Sequence, residues 1–144
     1  MSNTPTDTET SRNEATRNTL NTDTMQWVSA IVALAGLGLV AYPFMFESTE
    51  AALWNDAIVG TAIFLVASYN FVRLSRDRLA SVAGAVLTTL LGLWALVSPA
   101  VIRMGSSELA TTTAAGGLLV AALSAYNAYA NKRADTPDRT RTRA

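Results

Sequence analysis

Apolar residues are concentrated in the middle of the chain and are flanked by two polar ends. They form four runs, over residues 25–46, 57–72, 79–102 and 109–130, and the second run can be extended upstream to residue 51. A helix of about 22 residues spans about 33 Å, which exceeds the roughly 30 Å thickness of the hydrocarbon core of a bilayer. The pattern therefore predicts four transmembrane helices.

A soluble four-helix bundle is the alternative interpretation. Each helix of a soluble bundle needs a charged stripe on the side that faces water. Residues 31–46 and 79–102 contain no charged residue at all. The first run is also too long for the apolar part of a cleaved signal peptide. The chain is therefore predicted to be an all-α membrane protein.

The two ends of the chain contain few large apolar residues. Residues 1–24 are dominated by Thr, Asn, Asp and Glu, and residues 131–144 are rich in Arg and Thr. Such segments cannot bury enough apolar surface to offset the entropy that is lost on ordering. We therefore predict disordered tails at 1–24 and 131–144, on either side of a membrane part divided into 25–73 and 74–130.

Charges in the connections predict the orientation of the helices. The connection between the first two runs carries only acidic charges, whereas the next connection carries three arginines and the C-terminal tail carries more. Lys and Arg are enriched on the cytoplasmic side of membrane proteins. We therefore predict a multi-pass protein of the cell membrane with both termini in the cytoplasm.

The chain repeats itself at an interval of 56 residues. The pairs at this offset are Pro43 with Pro99, Gly36 with Gly92, Leu53 with Leu109 and Gly60 with Gly116. One inserted residue then aligns SYN at 68–70 with AYN at 125–127. A duplicated helical hairpin explains this internal repeat. Because each hairpin crosses the membrane twice, both copies enter from the same side, and they are predicted to be parallel repeats related by an axis along the membrane normal.

Two stretches, GLWALVSPAVI at 92–102 and LWNDAIVG at 53–60 after AYPF, resemble the SPW-repeat family of small integral membrane proteins. In that family Ser-Pro-Trp ends the first helix of each unit, and a Trp-Asn-rich segment starts the second. Here the tripeptides are Tyr42-Pro43-Phe44 and Ser98-Pro99-Ala100, and WND occurs in the first copy alone. The resemblance implies a membrane-embedded architecture and no particular reaction. The motif residues are Pro43, Trp54, Asn55, Asp56, Ser98 and Pro99.

The motif residues are expected to lie at helix ends. Pro43 and Pro99 are predicted to stop their helices at the interface, with a functional hinge as the alternative. Asn55 and Asp56 are expected to cap the second helix, as residues 111–113 would cap the fourth, and a cation site at Asp56 is the alternative.

Aromatic residues near the ends of the runs are typical of an interfacial belt. Trp27, Trp54 and Tyr42 are expected at the two interfaces, and Trp94, which lies deeper, is expected to serve packing.

Asn70 and Asn127 form a candidate intramembrane polar pair, since each follows a Tyr near the end of an apolar run. Their expected role is hydrogen bonding between helices, which contributes about 1 kcal/mol or less per bond. A polar relay that faces a central cavity is the alternative.

Small residues recur every four positions in the third and fourth runs. Such stripes allow helix backbones to approach closely. These faces are predicted to meet each other or to form an oligomer contact. The helix-packing residues are Gly84, Thr88, Gly92, Gly117 and Ala121.

Composition excludes several kinds of chemistry. The chain has no Cys and no His, which excludes thiolate catalysis, imidazole bases and the usual zinc sites. Basic and acidic residues are balanced at eleven each, so we expect no nucleic-acid partner. We also expect no cofactor, no metal and no enzymatic activity.

Two functions remain open at this point. The first is a non-enzymatic membrane scaffold or assembly partner. The second is a small transporter or channel subunit, which the parallel duplication and the paired asparagines favour. The expected partners are the lipid bilayer and either a second copy of the chain or another membrane protein.

Overall fold

The computed structural model describes the backbone of residues 5–76 and 81–143 and the side chains of residues 23–76 and 81–131. Within these ranges the chain forms four helices: α1 (Pro5–Met45), α2 (Glu50–Ser75), α3 (Val82–Val101) and α4 (Ser107–Arg143). Each contains a stretch long and apolar enough to cross a membrane. These stretches are Asp23–Met45, Glu50–Ser75, Val82–Val101 and Ser107–Asn131. The prediction of four transmembrane helices is confirmed.

The four helices pack as a ring. α1 packs against α2 and α3 packs against α4, so each repeat forms a hairpin, and the hairpins join through α1 with α4 and α2 with α3. The connections 46–49 and 102–106 lie together at one end of the bundle, which we call the loop end. The other end, where α2 stops and α3 starts, is the tail end.

The surface of the bundle is apolar and its interior contains polar groups. Large apolar side chains on every helix face outward, among them Leu34, Ile58, Leu90 and Leu118, each more than half exposed. Asp56, Thr113 and Asn127 are instead buried. Large exposed apolar side chains on all four spanning helices are typical of a surface that contacts lipid. The chain is an all-α, multi-pass membrane protein.

The second helices of the two repeats share a series of seven buried positions. In α2 the series is Ala52, Asp56, Gly60, Ile63, Ala67, Asn70 and Leu74, and in α4 it is Leu109, Thr113, Gly117, Val120, Ser124, Asn127 and Asn131, while Val59 and Ala121 are each buried in one copy alone. The spacing is identical, and every α4 residue follows its α2 counterpart by 57 residues. The first helices keep the offset of 56, for example between Gly36 and Gly92. The duplication therefore extends to the packing register.

This register corrects the predicted alignment of the second helices. Gly60 corresponds to Gly117 and not to Gly116, and Leu109 corresponds to Ala52 and not to Leu53. The inserted residue lies in the connection between the helices of the second repeat, which has five residues at 102–106 against four at 46–49. Gly105 in that connection has φ of +99°, a conformation that glycine adopts without steric cost.

Pairs of glycines bring the helices of each hairpin into backbone contact. A Cβ atom on Gly36 would lie 2.8 Å from the carbonyl oxygen of Gly60, and one on Gly92 would lie 2.9 Å from that of Gly117. These distances are shorter than a van der Waals contact allows, so the hairpins can pack this tightly only without side chains at these positions.

The motif prolines lie in the last turns of their helices. Pro43 precedes the end of α1 at Met45 by two residues, and Pro99 precedes the end of α3 at Val101 by two. The Ser48 hydroxyl donates to the carbonyl oxygen of Pro43 at 2.9 Å.

α2 extends to Ser75, beyond the predicted boundary at residue 73. The predicted disorder of 1–24 and 131–144 is not confirmed, because the backbone of 5–24 and 131–143 is helical and continues α1 and α4.

Candidate functional site

A buried carboxyl group lies inside the bundle near its loop end. Asp56 is six residues from the first residue of α2, Glu50, which places it about 9 Å along the helix axis. Its side chain is 1% exposed. Ionisable groups in membrane spans are costly and commonly mark functional sites. We therefore take Asp56 and its partners as the candidate site.

Three helices contribute to the hydrogen-bond network around this carboxyl group. The hydroxyl of Thr113 in α4 donates to Asp56 Oδ2 at 2.7 Å, and Asn55 Nδ2 donates to Asp56 Oδ1 at 2.9 Å. The indole Nε1 of Trp94 in α3 donates to Asn55 Oδ1 at 2.9 Å. The network thereby links the two repeats through their side chains.

The interpretation of Asn55 and Asp56 as helix caps is wrong. α2 is capped by Thr49, whose hydroxyl accepts from the N–H of Ala52 at 3.1 Å. In α4 the hydroxyl of Ser106 accepts from the N–H of Leu109 at 3.2 Å, so residues 111–113 lie inside the helix. Both helices start earlier than predicted. Thr49 is followed by Glu50, and Ser106 is followed by Ser107 and Glu108. A capping hydroxyl followed by an acidic residue in the first turn stabilises the start of a helix.

The aromatic residues follow the prediction only in part. Trp27 and Trp54 are exposed, at the tail end and the loop end respectively. Tyr42 instead packs against the cluster of Ala52, Met104 and Leu109. Trp94 was expected to serve packing, but it is 44% exposed and its indole holds Asn55.

A clasp between the two connections joins the repeats at the loop end. The N–H of Thr49 donates to the carbonyl oxygen of Met104 at 3.1 Å, and the Thr49 hydroxyl donates to that of Arg103. A Cβ atom on Gly105 would lie 3.0 Å from the carbonyl oxygen of Glu47. Thr49 therefore caps α2 and joins the two repeats at once.

Asn70 holds the start of α3 at the tail end. Its Oδ1 accepts from the N–H of Ser81 at 3.1 Å, and the Ser81 hydroxyl accepts from the N–H of Gly84 at 3.2 Å. A Cβ atom on Gly84 would lie 3.2 Å from Asn70 Nδ2. Gly84, predicted as a helix-packing residue, thus makes room for an asparagine from the other repeat.

Asn127 makes the corresponding contact from the second repeat to the first. Its Nδ2 donates to the hydroxyl of Ser29 in α1 at 3.1 Å. Among the described residues its Oδ1 has no hydrogen-bond partner. The two asparagines therefore have separate partners, and each joins the second helix of one repeat to the first helix of the other.

The remaining predicted packing residues lie within the second hairpin. A Cβ atom on Gly92 would lie 2.6 Å from the backbone nitrogen of Ala121, and Gly117 lies against the backbone of Leu96. Thr88 is buried and donates to the carbonyl oxygen of Gly84 at 2.8 Å. The small faces of α3 and α4 meet each other in this structure.

The chemistry that the candidate site can support is limited. Its polar groups are one carboxyl, one hydroxyl, one amide and one indole N–H. Within the part of the chain that the structure describes, no group of three or more acidic side chains is placed to hold a metal ion. The network can bind and orient hydrogen-bonding groups and can hold a proton on Asp56.

Comparison with known proteins identifies the repeat. The family model of the SPW repeat domain matches residues 26–132, which include all four membrane-spanning stretches except for the first residues of α1's span. No curated protein and no solved structure gives a significant match.

Proposed function

The chain belongs to the SPW repeat family, and from that premise we propose that it is a non-enzymatic scaffold or assembly partner in the cell membrane. In this role the bundle binds another membrane protein through its outer surface and carries no substrate through its interior.

The observation that carries the proposal is a layer of buried side chains in the middle of the bundle, three of which, Val32, Ile63 and Val120, belong to one hydrophobic cluster. Each helix contributes one residue to this layer, thirteen residues from its own loop-end terminus: Val32, Ile63, Thr88 and Val120. All four are at most 2% exposed. The Thr88 hydroxyl is bonded to its own helix, so the layer presents apolar groups to the interior. A packed apolar layer excludes water and ions from the path along the axis.

The connections between hairpins also favour a rigid body. Asn70, Asn127 and Thr113 each make a hydrogen bond from one repeat to the other. The hydrogen bond from Trp94 to Asn55 and the clasp at Thr49 add further contacts between the repeats. Two hairpins that are joined at several levels along the bundle axis are suited to present a fixed surface to a partner.

The outer surface supplies the area for such a partner. Leu65 on α2, Leu90 on α3 and Leu118 on α4 are all more than half exposed. In lipid, helices associate by close packing and by hydrogen bonds, since lipid tails are as apolar as the side chains. We expect the partner to present a transmembrane helix with small residues to one of these faces.

The orientation of the bundle is part of the proposal. Arg73 and Arg76 lie at the tail end, and Glu47 and Glu50 lie at the loop end. The enrichment of basic residues on the cytoplasmic side therefore supports a cytoplasmic tail end with both termini in the cytoplasm.

Photo-crosslinking in native membranes tests the scaffold. A photoreactive amino acid is placed at Leu65, Leu90 or Leu118 of the full chain, and at the buried Ile63 as the control. We expect a single protein adduct of constant mass from one exposed face and none from Ile63. The proposal would be contradicted if every exposed position formed adducts with membrane proteins simply in proportion to their abundance.

A small transporter or channel subunit is the second candidate, and the buried Asp56 is the observation that favours it. Transport proteins commonly keep an ionisable residue on the pathway. The test is flux of protons into proteoliposomes that contain a pH-sensitive dye, under an imposed membrane potential. Flux that D56N abolishes and E108Q preserves would establish this function in place of the scaffold.

A further inference from the structure

We propose that the Asp56 carboxyl group is a proton-binding site reached from the loop end, with Thr113 as the partner that accommodates both charge states. The proton-binding site does not depend on the proposed scaffold function. A proton on Asp56 changes a contact between the repeats whether or not any solute crosses the membrane. The inference rests on the partners of the carboxyl group, on the chemistry of a hydroxyl and on the depth of the site.

Both oxygens of the carboxyl group are bound by uncharged donors. Thr113 Oγ1 donates to Oδ2, and Asn55 Nδ2 donates to Oδ1. An Arg or Lys partner would hold the group ionised, because separating the buried pair leaves two uncompensated charges. Two neutral donors impose no such condition. The carboxyl group can therefore exchange a proton without breaking an ion pair.

Thr113 can serve either charge state because a hydroxyl both donates and accepts. It donates to the carboxylate, and it can accept from the carboxylic acid if its own hydrogen finds another acceptor. Its neighbours show where that acceptor is: the hydroxyls of Thr111 and Thr112 donate to carbonyl oxygens four residues earlier, at 2.8 and 2.9 Å. For Thr113 the equivalent acceptor is the carbonyl oxygen of Leu109.

Atoms and charge balance in this protonation because water supplies the proton. One proton from the aqueous phase binds to Oδ2, the Thr113 hydroxyl hydrogen turns from Oδ2 to the carbonyl oxygen of Leu109, and the carboxylic acid donates to Oγ1. The Asn55 amide continues to donate to Oδ1. The hydrogen bond between the repeats is thus kept in both states, with its direction reversed.

The site lies within reach of the loop end. Asp56 is about one and a half turns inside α2, and Asn55 beside it is only partly buried. The titratable groups at this end are Tyr42 on α1, Glu50 on α2, Glu108 on α4, and Glu47 and Arg103 in the connections. α3 adds none, since Val82–Val101 has no charged residue. Apart from the half-buried Tyr42, these groups are exposed.

Infrared difference spectroscopy between acidic and alkaline buffer tests the site in the full chain in bilayers. We expect a carboxylic C=O band of a group shielded from water, which is lost in D56N and kept in E108Q. T113V should shift the band, because the carboxylic acid loses its hydroxyl partner, and T113S should restore it.

Two results would overturn the proposal. One is a wild-type spectrum without such a band, or with a band that D56N retains. The second result can be obtained even if D56N does not fold, because it uses the T113V variant. If folded T113V gives the band at the same frequency as the wild type, the titrating group is not the one that is bonded to Thr113.

Discussion

The side chains of Asp56 and Thr113, which occupy equivalent positions 57 residues apart in the two repeats, meet in a hydrogen bond of 2.7 Å. If the repeats are related by an axis along the membrane normal, as the sequence predicts, equivalent residues can touch only where that axis passes between them. The contact between Asp56 and Thr113 is therefore expected to lie on this axis. Two aspartates at this distance would repel each other unless they shared a proton. The second copy instead has Thr113 at this position, and its hydroxyl donates a hydrogen bond to Asp56 of the first copy. This sequence difference between the copies therefore stabilises the contact between them.

Removal of the Thr113 hydroxyl tests this contact. T113V leaves Asp56 Oδ2 buried without a donor, and we expect a loss of about 1–3 kcal/mol in the free energy of unfolding. T113S keeps the hydroxyl and should lose less. T112V is the matched control, since Thr112 bonds only to its own helix. Unfolding in detergent micelles measures all three. Equal losses in T113V and T112V would show that the contact between repeats contributes nothing.

The glycine contacts predict a sharp difference between two adjacent residues. A methyl group on Gly117 would meet the backbone of Gly92 at 2.6 Å, whereas one on Gly116 would meet only the Leu39 side chain at 3.3 Å. G117A should therefore cost about 1–3 kcal/mol through overpacking. G116A should be nearly neutral, because Leu39 can shift and Ala favours the helix over Gly by about 1 kcal/mol. Thermal unfolding of both variants in the same detergent decides the matter, and a G117A variant as stable as G116A would contradict the packing.

Most of the fold could be predicted from the sequence because hydropathy along the chain is decided by local composition. The four spans and the duplication are visible as apolar runs and repeated prolines. The register of the second helices was not predictable in the same way, because Gly116 and Gly117 are adjacent and either can be aligned with Gly60. Only the burial pattern of the helices shows that the inserted residue belongs to the connection at 102–106.

The candidate site was located by the sequence but misinterpreted. Asp56 stands out as an acidic residue next to an apolar run, and a helix start was the simplest explanation for it. Thr49 and Ser106, each a good capping residue a turn or two earlier, were the signal that could have shown otherwise. The partners Thr113 and Trp94 could not have been found, since they come from other helices and depend on how the hairpins pack.

Substitution of Gly105 tests the clasp at the loop end. G105A places a side chain at φ of +99° and within 3.0 Å of the Glu47 carbonyl oxygen. Strained backbone of this kind costs about 1–3 kcal/mol, and the connection should move away from Thr49. We expect a lower unfolding temperature in G105A and little change in G38A, whose Cβ would meet only the Tyr42 side chain of its own helix at 3.3 Å. Proteolysis of the two connections should also become faster in G105A alone. Resistance equal to that of the wild type would show that the clasp does not hold the connections together.

The predicted orientation can be measured with single cysteines because the natural chain contains none. Ser107 at the loop end and Ser75 at the tail end are both exposed, and they lie at opposite ends of the bundle. If the arginine-bearing tail end is cytoplasmic, a membrane-impermeant thiol reagent should label S107C in intact cells and S75C only after the membrane is permeabilised. The cysteine-free chain serves as the blank, and labelling after denaturation shows that both thiols can react. Labelling of S75C in intact cells with S107C protected would reverse the orientation and place both termini outside the cell.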